Sequence, residues 1–173
     1  MATTPIPLAA INNLGRDEFV AALGPLFEGS PWIAAETWSS QPFASPDALY
    51  QALCATMYAA PIERKLALIR AHPDLAGKAA IAGELTAESA SEQSSAGLDR
   101  LSPEEFTTFT RLNQAYGDTF GFPFVICVRE NTKDSILASF AARLGHPRDQ
   151  EVETALGEIA KIARLRLLDA VRD

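Results

Sequence analysis

The sequence has little of what defines several large classes of protein. Its 173 residues include two cysteines, Cys54 and Cys127, and each lies within an apolar run. Two distant cysteines do not make a disulfide framework, so we predict free, buried thiols in a reducing compartment. The two histidines have no carboxylate at metal-ligand spacing, which disfavours a zinc site. The sequence also contains neither a phosphate-binding loop nor a glycine-rich dinucleotide fingerprint.

Basic charge and long apolar runs are also scarce. Lys and Arg number 15 against 22 Asp and Glu, which gives a net charge of −7. That balance argues against nucleic acid or an anionic membrane as a partner. No run approaches the roughly 18 apolar residues that span a bilayer. Residues 1–14 have no basic residue that would begin a signal peptide, and residues 171–173 are not a peroxisomal signal. We therefore expect a cytoplasmic protein.

Helix signals, in contrast, recur along the whole chain. Residues 45–47 read Ser-Pro-Asp, a pattern typical of a helix N-terminus. Ser102 precedes Glu105 by three positions, which predicts a capping box, and Thr132 is a further candidate N-cap. The longest helical pattern covers residues 150–171. Between these signals, apolar residues recur every three or four positions, as they do on the buried face of a helix.

Residues 120–128 are the exception to this helical pattern. They read Phe-Gly-Phe-Pro-Phe-Val-Ile-Cys-Val, and their aromatic and β-branched side chains favour an extended conformation. A lone strand has no neighbour for its backbone N–H and C=O groups, so it is either a core crossover or a backbone that bonds a ligand. We predict an all-α fold, a single-domain helical bundle over residues 1–173 with one extended apolar segment near 120–128.

Both histidines precede a proline, which favours an extended conformation at the end of a helix. His146 follows Gly145, and this pair is typical of a helix exit at which the histidine interacts with the helix dipole. His72 is flanked by apolar residues and followed by a tight turn at 73–77, so it is the better candidate for an acid or base. A nucleophile–base pair with Cys54 is disfavoured, because a cysteine beside a core stripe is usually inert.

Two further groups of polar residues have both a structural and a functional interpretation. On a helix, Ser89 shares a face with Glu92 and Gln93, which would bring three polar groups to one small molecule. The same Ser89-x-x-Glu92 spacing is also a capping-box pattern. Arg166 falls inside the apolar arc of the last helix when residues are placed about 100° apart. A buried arginine needs either a protein carboxylate or an anionic ligand.

Three runs carry a family resemblance when they are taken in order along the chain. They are His72-Pro73-Asp74-Leu75-Ala76-Gly77, Ser89-x-x-Glu92-Gln93-x-x-Ala96-Gly97-Leu98 and Phe120-Gly121-Phe122-Pro123-Phe124, with Leu165-Arg166-Leu167 near the end. This set resembles the 2-oxo-4-hydroxy-4-carboxy-5-ureidoimidazoline (OHCU) decarboxylases. The resemblance covers residues 8–171, and none of the important positions departs from the family pattern.

The resemblance implies both a fold and an activity. It implies an all-α homodimer without a metal or organic cofactor. It implies the decarboxylation of OHCU to S-allantoin, which is the third step of urate degradation. The partners would then be a small-molecule substrate and product, with neither nucleic acid nor a membrane involved.

The resemblance also implies roles for individual residues. The catalytic positions are His72, Glu92 and Arg166. The substrate-binding positions are Pro73, Ser89, Glu92, Gln93, Phe124, Val125, Ile126, Cys127, Val128 and Arg166. Our hypothesis is that His72 moves a proton as the carboxylate leaves, with Glu92 orienting it.

Two other classes of function fit the residues. A non-catalytic helical module would bind ureides and release no CO₂. A helical interaction domain would use Glu92 as a cap and Arg166 in a structural ion pair, and no ligand would raise its melting temperature.

Overall fold

The protein is mostly helical, as the sequence predicts. The computed structural model describes residues 4–173, which form ten α-helices, three short 3₁₀-helices and one pair of two-residue strands. The helices are α1 (Leu8–Ile11), α2 (Arg16–Leu23), α3 (Trp32–Thr37), α4 (Pro46–Ala59), α5 (Ile62–Arg70), α6 (Lys78–Ala82), α7 (Ala87–Ser95), α8 (Pro103–Phe120), α9 (Lys133–Arg143) and α10 (Arg148–Ala170). The 3₁₀-helices are Gly24–Leu26, Trp38–Ser40 and Val128–Glu130, and the strands are β1 (Ile6–Pro7) and β2 (Val171–Arg172). The all-α class is confirmed.

The predicted N-caps begin their helices as expected. The Ser45 hydroxyl accepts a hydrogen bond from the Ala48 N–H at 3.0 Å at the start of α4. At the start of α8 the Ser102 hydroxyl accepts from the Glu105 N–H at 3.1 Å, and the Glu105 carboxylate accepts from the Ser102 N–H at 2.9 Å. These bonds satisfy N–H groups that have no partner inside the helix.

The start of α7 decides between the two interpretations of the Ser89-x-x-Glu92 spacing. Thr86 is the N-cap, and its hydroxyl accepts a hydrogen bond from the Ser89 N–H at 3.2 Å. Ser89 is therefore the third residue of the helix and cannot be its cap. The capping-box interpretation is wrong, whereas the predicted helical face is present.

The chain folds into two compact units. The first contains the residues up to Ala71 together with Ala160–Asp173. Within it, β1 and β2 pair in parallel, with Ile6 opposite Val171. Its fully buried apolar side chains include Ile11, Phe19, Leu23, Ile33, Leu49, Leu53 and Met57. The prediction of a single domain over residues 1–173 is not tested by this division and stays a prediction.

The second unit, His72–Ile159, has an aromatic core around Tyr116. The Tyr116 ring centroid lies 4.5 Å from that of Phe120 and 5.3 Å from that of Phe124. Phe124 in turn stacks on Phe140 with 3.7 Å between ring centroids. Aromatic pairs of this kind add to the free energy gained from burial alone. The core therefore fixes Phe124, at the centre of the predicted extended segment.

The predicted extended segment is shorter than 120–128, since Phe120 lies in α8 and Val128 in a 3₁₀-helix, and Cys127 within it has an extended backbone. Gly121 ends α8 with φ +76°, a left-handed conformation that glycine adopts without steric cost. The backbone then runs without helix or strand pairing to Val128, where a 3₁₀-helix begins. Residues 124–128 are each at most 6% exposed.

Candidate active site

His72 lies at the start of a loop that two buried amides hold in place. The histidine is 8% exposed and follows Ala71, the C-cap residue of α5. The Gln93 side-chain oxygen accepts a hydrogen bond from the Ala76 N–H at 2.9 Å. The Asn113 side-chain nitrogen donates to the Leu75 carbonyl at 2.8 Å. We call these two contacts the amide clamp, because they fix the loop that follows His72.

The clamped loop contains a backbone conformation that a non-glycine residue rarely adopts. Ala76 has φ +50°, in the left-handed region where its Cβ crowds the backbone. Such conformations persist where the surrounding contacts over-determine them. The hydrogen bond from Ala76 to Gln93 is one of those contacts, so Gln93 helps to set the course of the chain after His72.

The polar face predicted on α7 is present and mostly buried. Ser89 is 5% exposed and Gln93 is 6% exposed, while Glu92 between them is half-buried. The Gln93 amide nitrogen also lies 3.4 Å from the Asp74 carbonyl, which is a long hydrogen bond. The Gln93 side chain therefore hydrogen-bonds directly to the backbone of the 72–77 loop, a role that the sequence alone does not indicate.

Side chains satisfy the backbone of the extended segment in place of a neighbouring strand. The Val125 carbonyl accepts a hydrogen bond from Arg143 Nη1 at 2.8 Å. The Cys127 N–H donates to the Glu158 carboxylate at 2.8 Å, and the Cys127 carbonyl accepts from the Asn131 amide at 2.9 Å. A buried extended backbone is stable only when such partners replace water.

Not every residue of this segment has such partners, and Ile126 is one that lacks them. It is 6% exposed, yet no residue within 4–173 hydrogen-bonds to its backbone N–H or its C=O. A buried peptide donor and acceptor without partners are costly. They are also suited to a ligand that carries its own N–H and C=O groups. Of the two sequence interpretations, this favours a backbone that bonds a ligand.

Glu92 lies near Cys127, at the end of the extended segment. Burial, together with the negative charges of Glu130, Glu158 and Glu92, raises the pKa of the Cys127 thiol to about 11. The helix α7, which carries Glu92, packs against the 3₁₀-helix Val128–Glu130 that follows Cys127. Glu92 on α7 and the end of the extended segment therefore belong to one neighbourhood of the second unit.

Arg166 belongs to the first unit and is buried there, as its place on the helical wheel predicts. It is 6% exposed, and its Nη1 donates to the Glu28 carboxylate and to the Pro25 carbonyl, both at 3.1 Å. Glu28 is itself 7% exposed. Of the two partners that a buried arginine could have, the protein carboxylate is present. The ligand interpretation of Arg166 is not tested by these contacts and stays a prediction.

A buried polar cluster in the second unit was missed in the sequence. Glu151 is fully buried and accepts hydrogen bonds from the Tyr116 hydroxyl and, at 2.9 Å, from Arg143 Nε. Its second oxygen lies 2.9 Å from His146 Nδ1. His146 therefore interacts with a carboxylate, which the interpretation as a helix exit did not include. We call Tyr116, Arg143, His146 and Glu151 the Arg143 cluster.

A sequence signal for this cluster existed, and it is the one that identified Arg166. Arg143 follows Ile136 and Phe140 on the buried face of α9, at spacings of four and three. Asn113 likewise lies on the buried face of α8, between Phe109 and Tyr116. A polar residue on an apolar helical face predicts a buried partner. The identity of that partner depends on tertiary structure.

A cavity of ≈ 570 Å³ opens beside Gln93 and Ala76. Its other lining residues are mostly apolar and include Ile81, Leu98 and Phe106. Across residues 4–173, no three His, Cys, Asp or Glu side chains are placed to hold a metal ion. In the same residues, no helix is both long and apolar enough to cross a membrane.

The fold and these buried groups define an all-α protein with a candidate site for a small polar molecule. A family model described as OHCU decarboxylase matches residues 12–168. The chain belongs to the OHCU decarboxylase family.

Named relatives agree with this assignment. A protein from Halalkalicoccus jeotgali named 2-oxo-4-hydroxy-4-carboxy-5-ureidoimidazoline decarboxylase is 44% identical over 164 residues, which are 95% of this chain and 91% of that protein. The uric acid degradation bifunctional protein of Bacillus subtilis is 37% identical over 163 residues, which are 94% of this chain and 32% of that protein. This chain is thus similar to a whole enzyme in one case and to one part of a larger protein in the other.

Solved structures are also similar. A crystal structure of (S)-allantoin synthase has a TM-score of 0.76 at 29% identity, covering 97% of this chain and 54% of that chain. A crystal structure of OHCU decarboxylase in the presence of (S)-allantoin has a TM-score of 0.66 at 26% identity, covering 88% of this chain and 96% of that chain.

Proposed function

We propose that this chain decarboxylates OHCU to S-allantoin in urate degradation. The observation that carries the proposal is membership of the OHCU decarboxylase family over residues 12–168, with His72 buried in that range. The relatives described above are named for this decarboxylation or for uric acid degradation. The proposal makes the chain a carboxy-lyase, and its substrate a small heterocycle with carboxylate, hydroxyl and ureido groups.

The reaction requires one bond cleavage and the movement of protons. The bond between the ring carbon and the carboxylate breaks and CO₂ leaves. The electron pair of that bond forms a carbon–carbon double bond in the ring, and the nitrogen of the adjacent carbon–nitrogen double bond takes up a proton from solvent. The ring hydroxyl becomes a carbonyl by losing a proton, and the ureido-bearing carbon gains one. Because the substrate itself takes up the electron pair, the chain has to orient it and to move protons on one face.

His72 is our candidate for proton transfer. A histidine exchanges protons near neutral pH without a large change in its pKa. The amide clamp supports this role, because it fixes the loop immediately after His72. We assign to Glu92 the orientation of His72 or of the substrate, and to Ser89, Gln93 and Pro73 contacts with the substrate, on the family resemblance.

Backbone groups of residues 124–128 are our candidates for binding the ring. The N–H and C=O of Ile126 match a ring amide, which offers one acceptor and one donor. Arg166, held by Glu28 and Pro25, is assigned to an anionic or carbonyl oxygen of the substrate on the family resemblance. Arginine suits this task because it stays charged and its donors lie in a fixed plane.

Circular dichroism during turnover tests the activity. Urate oxidase and hydroxyisourate hydrolase generate OHCU in the cuvette, where its uncatalysed decay yields racemic allantoin and no lasting signal. We expect a circular dichroism signal of one sign that appears rapidly and persists, because a single enantiomer of allantoin is formed. Decay at the background rate with ureide binding retained would contradict the proposal and support the non-catalytic binding module.

The His72→Asn variant tests the proton transfer. We expect kcat to fall about 10²- to 10⁴-fold, the usual contribution of a general acid or base, with KM changed little. Unchanged melting temperature would show that the variant is folded. Normal turnover by a folded His72→Asn protein would contradict the role of His72 without touching the decarboxylase assignment.

We also propose a cytoplasmic homodimer. The acidic net charge of −7 agrees with a small-molecule enzyme that binds neither nucleic acid nor membranes. Light scattering after size exclusion should give twice the chain mass of 18.6 kDa. A mass equal to one chain at micromolar concentration would contradict the dimer.

A further inference from the structure

The Arg143 cluster buries two charged side chains, and the loss of their hydration costs free energy. A gain in stability therefore does not explain why the cluster is present. Arg143 is 5% exposed and Glu151 is fully buried, so both charges have lost their water. A buried ion pair usually gains little net free energy over apolar side chains of the same size. This pair differs from a purely structural ion pair because Arg143 also contacts the backbone of the extended segment.

One guanidinium group holds two neighbouring residues of that segment. Arg143 Nη1 donates to the Val125 carbonyl at 2.8 Å. The central carbon of this guanidinium, Arg143 Cζ, lies 4.3 Å from the centroid of the Phe124 ring. Glu151 fixes the guanidinium from its other side through Arg143 Nε at 2.9 Å. A planar fork bound at both ends has little freedom to rotate.

The orientation of the Val125 carbonyl decides where the Ile126 N–H points. Both groups belong to one planar peptide unit, and this bond is trans. Because the carbonyl is directed at Arg143, the Ile126 N–H is directed away from Arg143. Rotation of this peptide would break the hydrogen bond to a buried arginine.

Glu158 fixes the orientation of the next peptide unit, between Ile126 and Cys127. The Cys127 N–H donates to the Glu158 carboxylate at 2.8 Å, so the Ile126 carbonyl in that unit points away from Glu158. Arg143 and Glu158 thus fix the two peptide units on either side of Ile126. The N–H and C=O of Ile126 have no hydrogen-bond partner within residues 4–173, and their directions are set by these two side chains.

We propose that Arg143 and Glu158 are positioning residues that orient the N–H and C=O of Ile126 toward a cyclic amide edge of the substrate. This inference rests on the proposed function. The ligand chemistry is an adjacent N–H and C=O in a small ring. Arg143 and Glu158 act through the peptide units and do not touch the ligand.

Two variants of Glu158 test the inference with a built-in rescue. Glu158→Gln keeps an oxygen that accepts from the Cys127 N–H, whereas Glu158→Leu has none. For Glu158→Leu we expect KM to rise about tenfold or more, which is the effect of losing one well-placed hydrogen bond to the substrate. We expect kcat to change less, because these groups hold the ring and not the reacting carbon. Glu158→Gln should stay within about threefold of the unchanged protein in both constants.

The double variant Arg143→Met/Glu151→Leu tests the other side of the segment. It removes both charges together, which avoids leaving one buried charge alone. KM should rise by a similar factor. Arg148→Met is the control, because Arg148 donates to the Phe120 carbonyl at 3.2 Å, at the end of α8 and away from Ile126. Its KM should stay within about twofold.

The Ile126 amide resonance reports on the same contacts directly. In ¹⁵N-labelled protein we expect S-allantoin to shift this resonance, and the shift to be lost in Glu158→Leu and kept in Glu158→Gln. An active starting protein with equal KM in Glu158→Leu and Glu158→Gln would overturn the positioning role. A starting protein that does not consume OHCU would instead contradict the proposed function. If the double variant does not fold, the Glu158 pair decides alone.

Discussion

The Glu28–Arg166 pair combines a buried charge with a buried partner. Each side chain is at most 7% exposed, and the two are joined at 3.1 Å. Removing one member of such a pair leaves the other charged and desolvated. Glu28 is therefore expected to matter for the stability of the first unit as well as for the orientation of Arg166.

Replacement of Glu28 tests this directly. Glu28→Leu should lower the free energy of unfolding by about 3 kcal/mol, because the buried Arg166 keeps its charge and loses the Glu28 carboxylate. Glu28→Gln should cost about 1 kcal/mol, because an acceptor oxygen remains. Urea denaturation measures both values. Equal stability of the two variants would mean that Arg166 does not depend on the Glu28 contact.

The two thiols should be unreactive in the folded protein. Burial is the main cause that raises the pKa of both Cys54 and Cys127, to about 11 for Cys127. Since the thiolate is the reactive form, only a small fraction of each of these thiols is reactive at pH 7.5. Ellman's reagent should label both residues slowly in native protein and quickly in urea. Fast labelling of native Cys54→Ser protein would contradict the burial of Cys127.

At the scale of the helices and loops, the amide clamp joins three elements. Gln93 on α7 and Asn113 on α8 both bind the loop after His72, which itself follows α5. Neither helix carries the proposed proton-transfer residue. A change in either amide is thus expected to act on catalysis through the loop.

Asn113→Leu removes half of this clamp. The Leu75 carbonyl loses its donor, so unfolding should become easier by about 1–2 kcal/mol, the cost of an unsatisfied buried group. We also expect a lower kcat, because the loop after His72 is less fixed. Gln114→Ala is the matched control, since the neighbouring Gln114 is exposed and bonds Asp118 within α8. Thermal melts and turnover measure both variants, and equal kcat in the two would argue against the clamp.

The helix boundaries were predictable where a local side chain ends or begins the helix. Ser45, Ser102 and Thr132 each accept a hydrogen bond from an N–H three residues later, and that contact depends on local sequence. The start of α7 was harder, because both Thr86 and Ser89 are possible caps. Local pattern identifies candidate caps, but the packing of the helix decides between them.

The residues of the site were predictable to a different depth. Arg166 is buried, as its place on the helical wheel predicts, and His72, Ser89 and Gln93 are buried as well. The partners were not predictable, because Glu28 is distant in sequence from Arg166 and Glu158 is distant from Cys127. Long-range contacts of this kind depend on how helices pack, which periodicity does not specify.

At the scale of the whole molecule, alkaline pH should destabilise the protein. Burial raises the pKa of the Cys127 thiol to about 11 from 9.0, and burial also raises the pKa of Tyr50 and Tyr116. A group whose pKa is higher when folded stabilises fully below its unfolded pKa and loses that effect as pH rises. For Cys127 the loss falls between pH 9 and about 11.

Urea denaturation from pH 8 to 10.5 measures this loss. The free energy of unfolding should fall steadily above pH 9, because the unfolded chain releases protons that the folded chain retains. Cys127→Ala should show a shallower fall, since one of the contributing groups is gone. A free energy of unfolding that stays level over this range would contradict the burial of these groups.

The first unit is assembled from the two ends of the described chain, with Ile6 beside Val171 and Glu28 bound to Arg166. This has a consequence for a chain that has been cut. A single break at an exposed position such as Gly83 would leave two fragments, and each fragment would carry part of the same compact unit. The fragments would therefore already have a shared surface through which to find each other. Such a chain is a natural starting point for a split reporter that regains its activity when its halves meet.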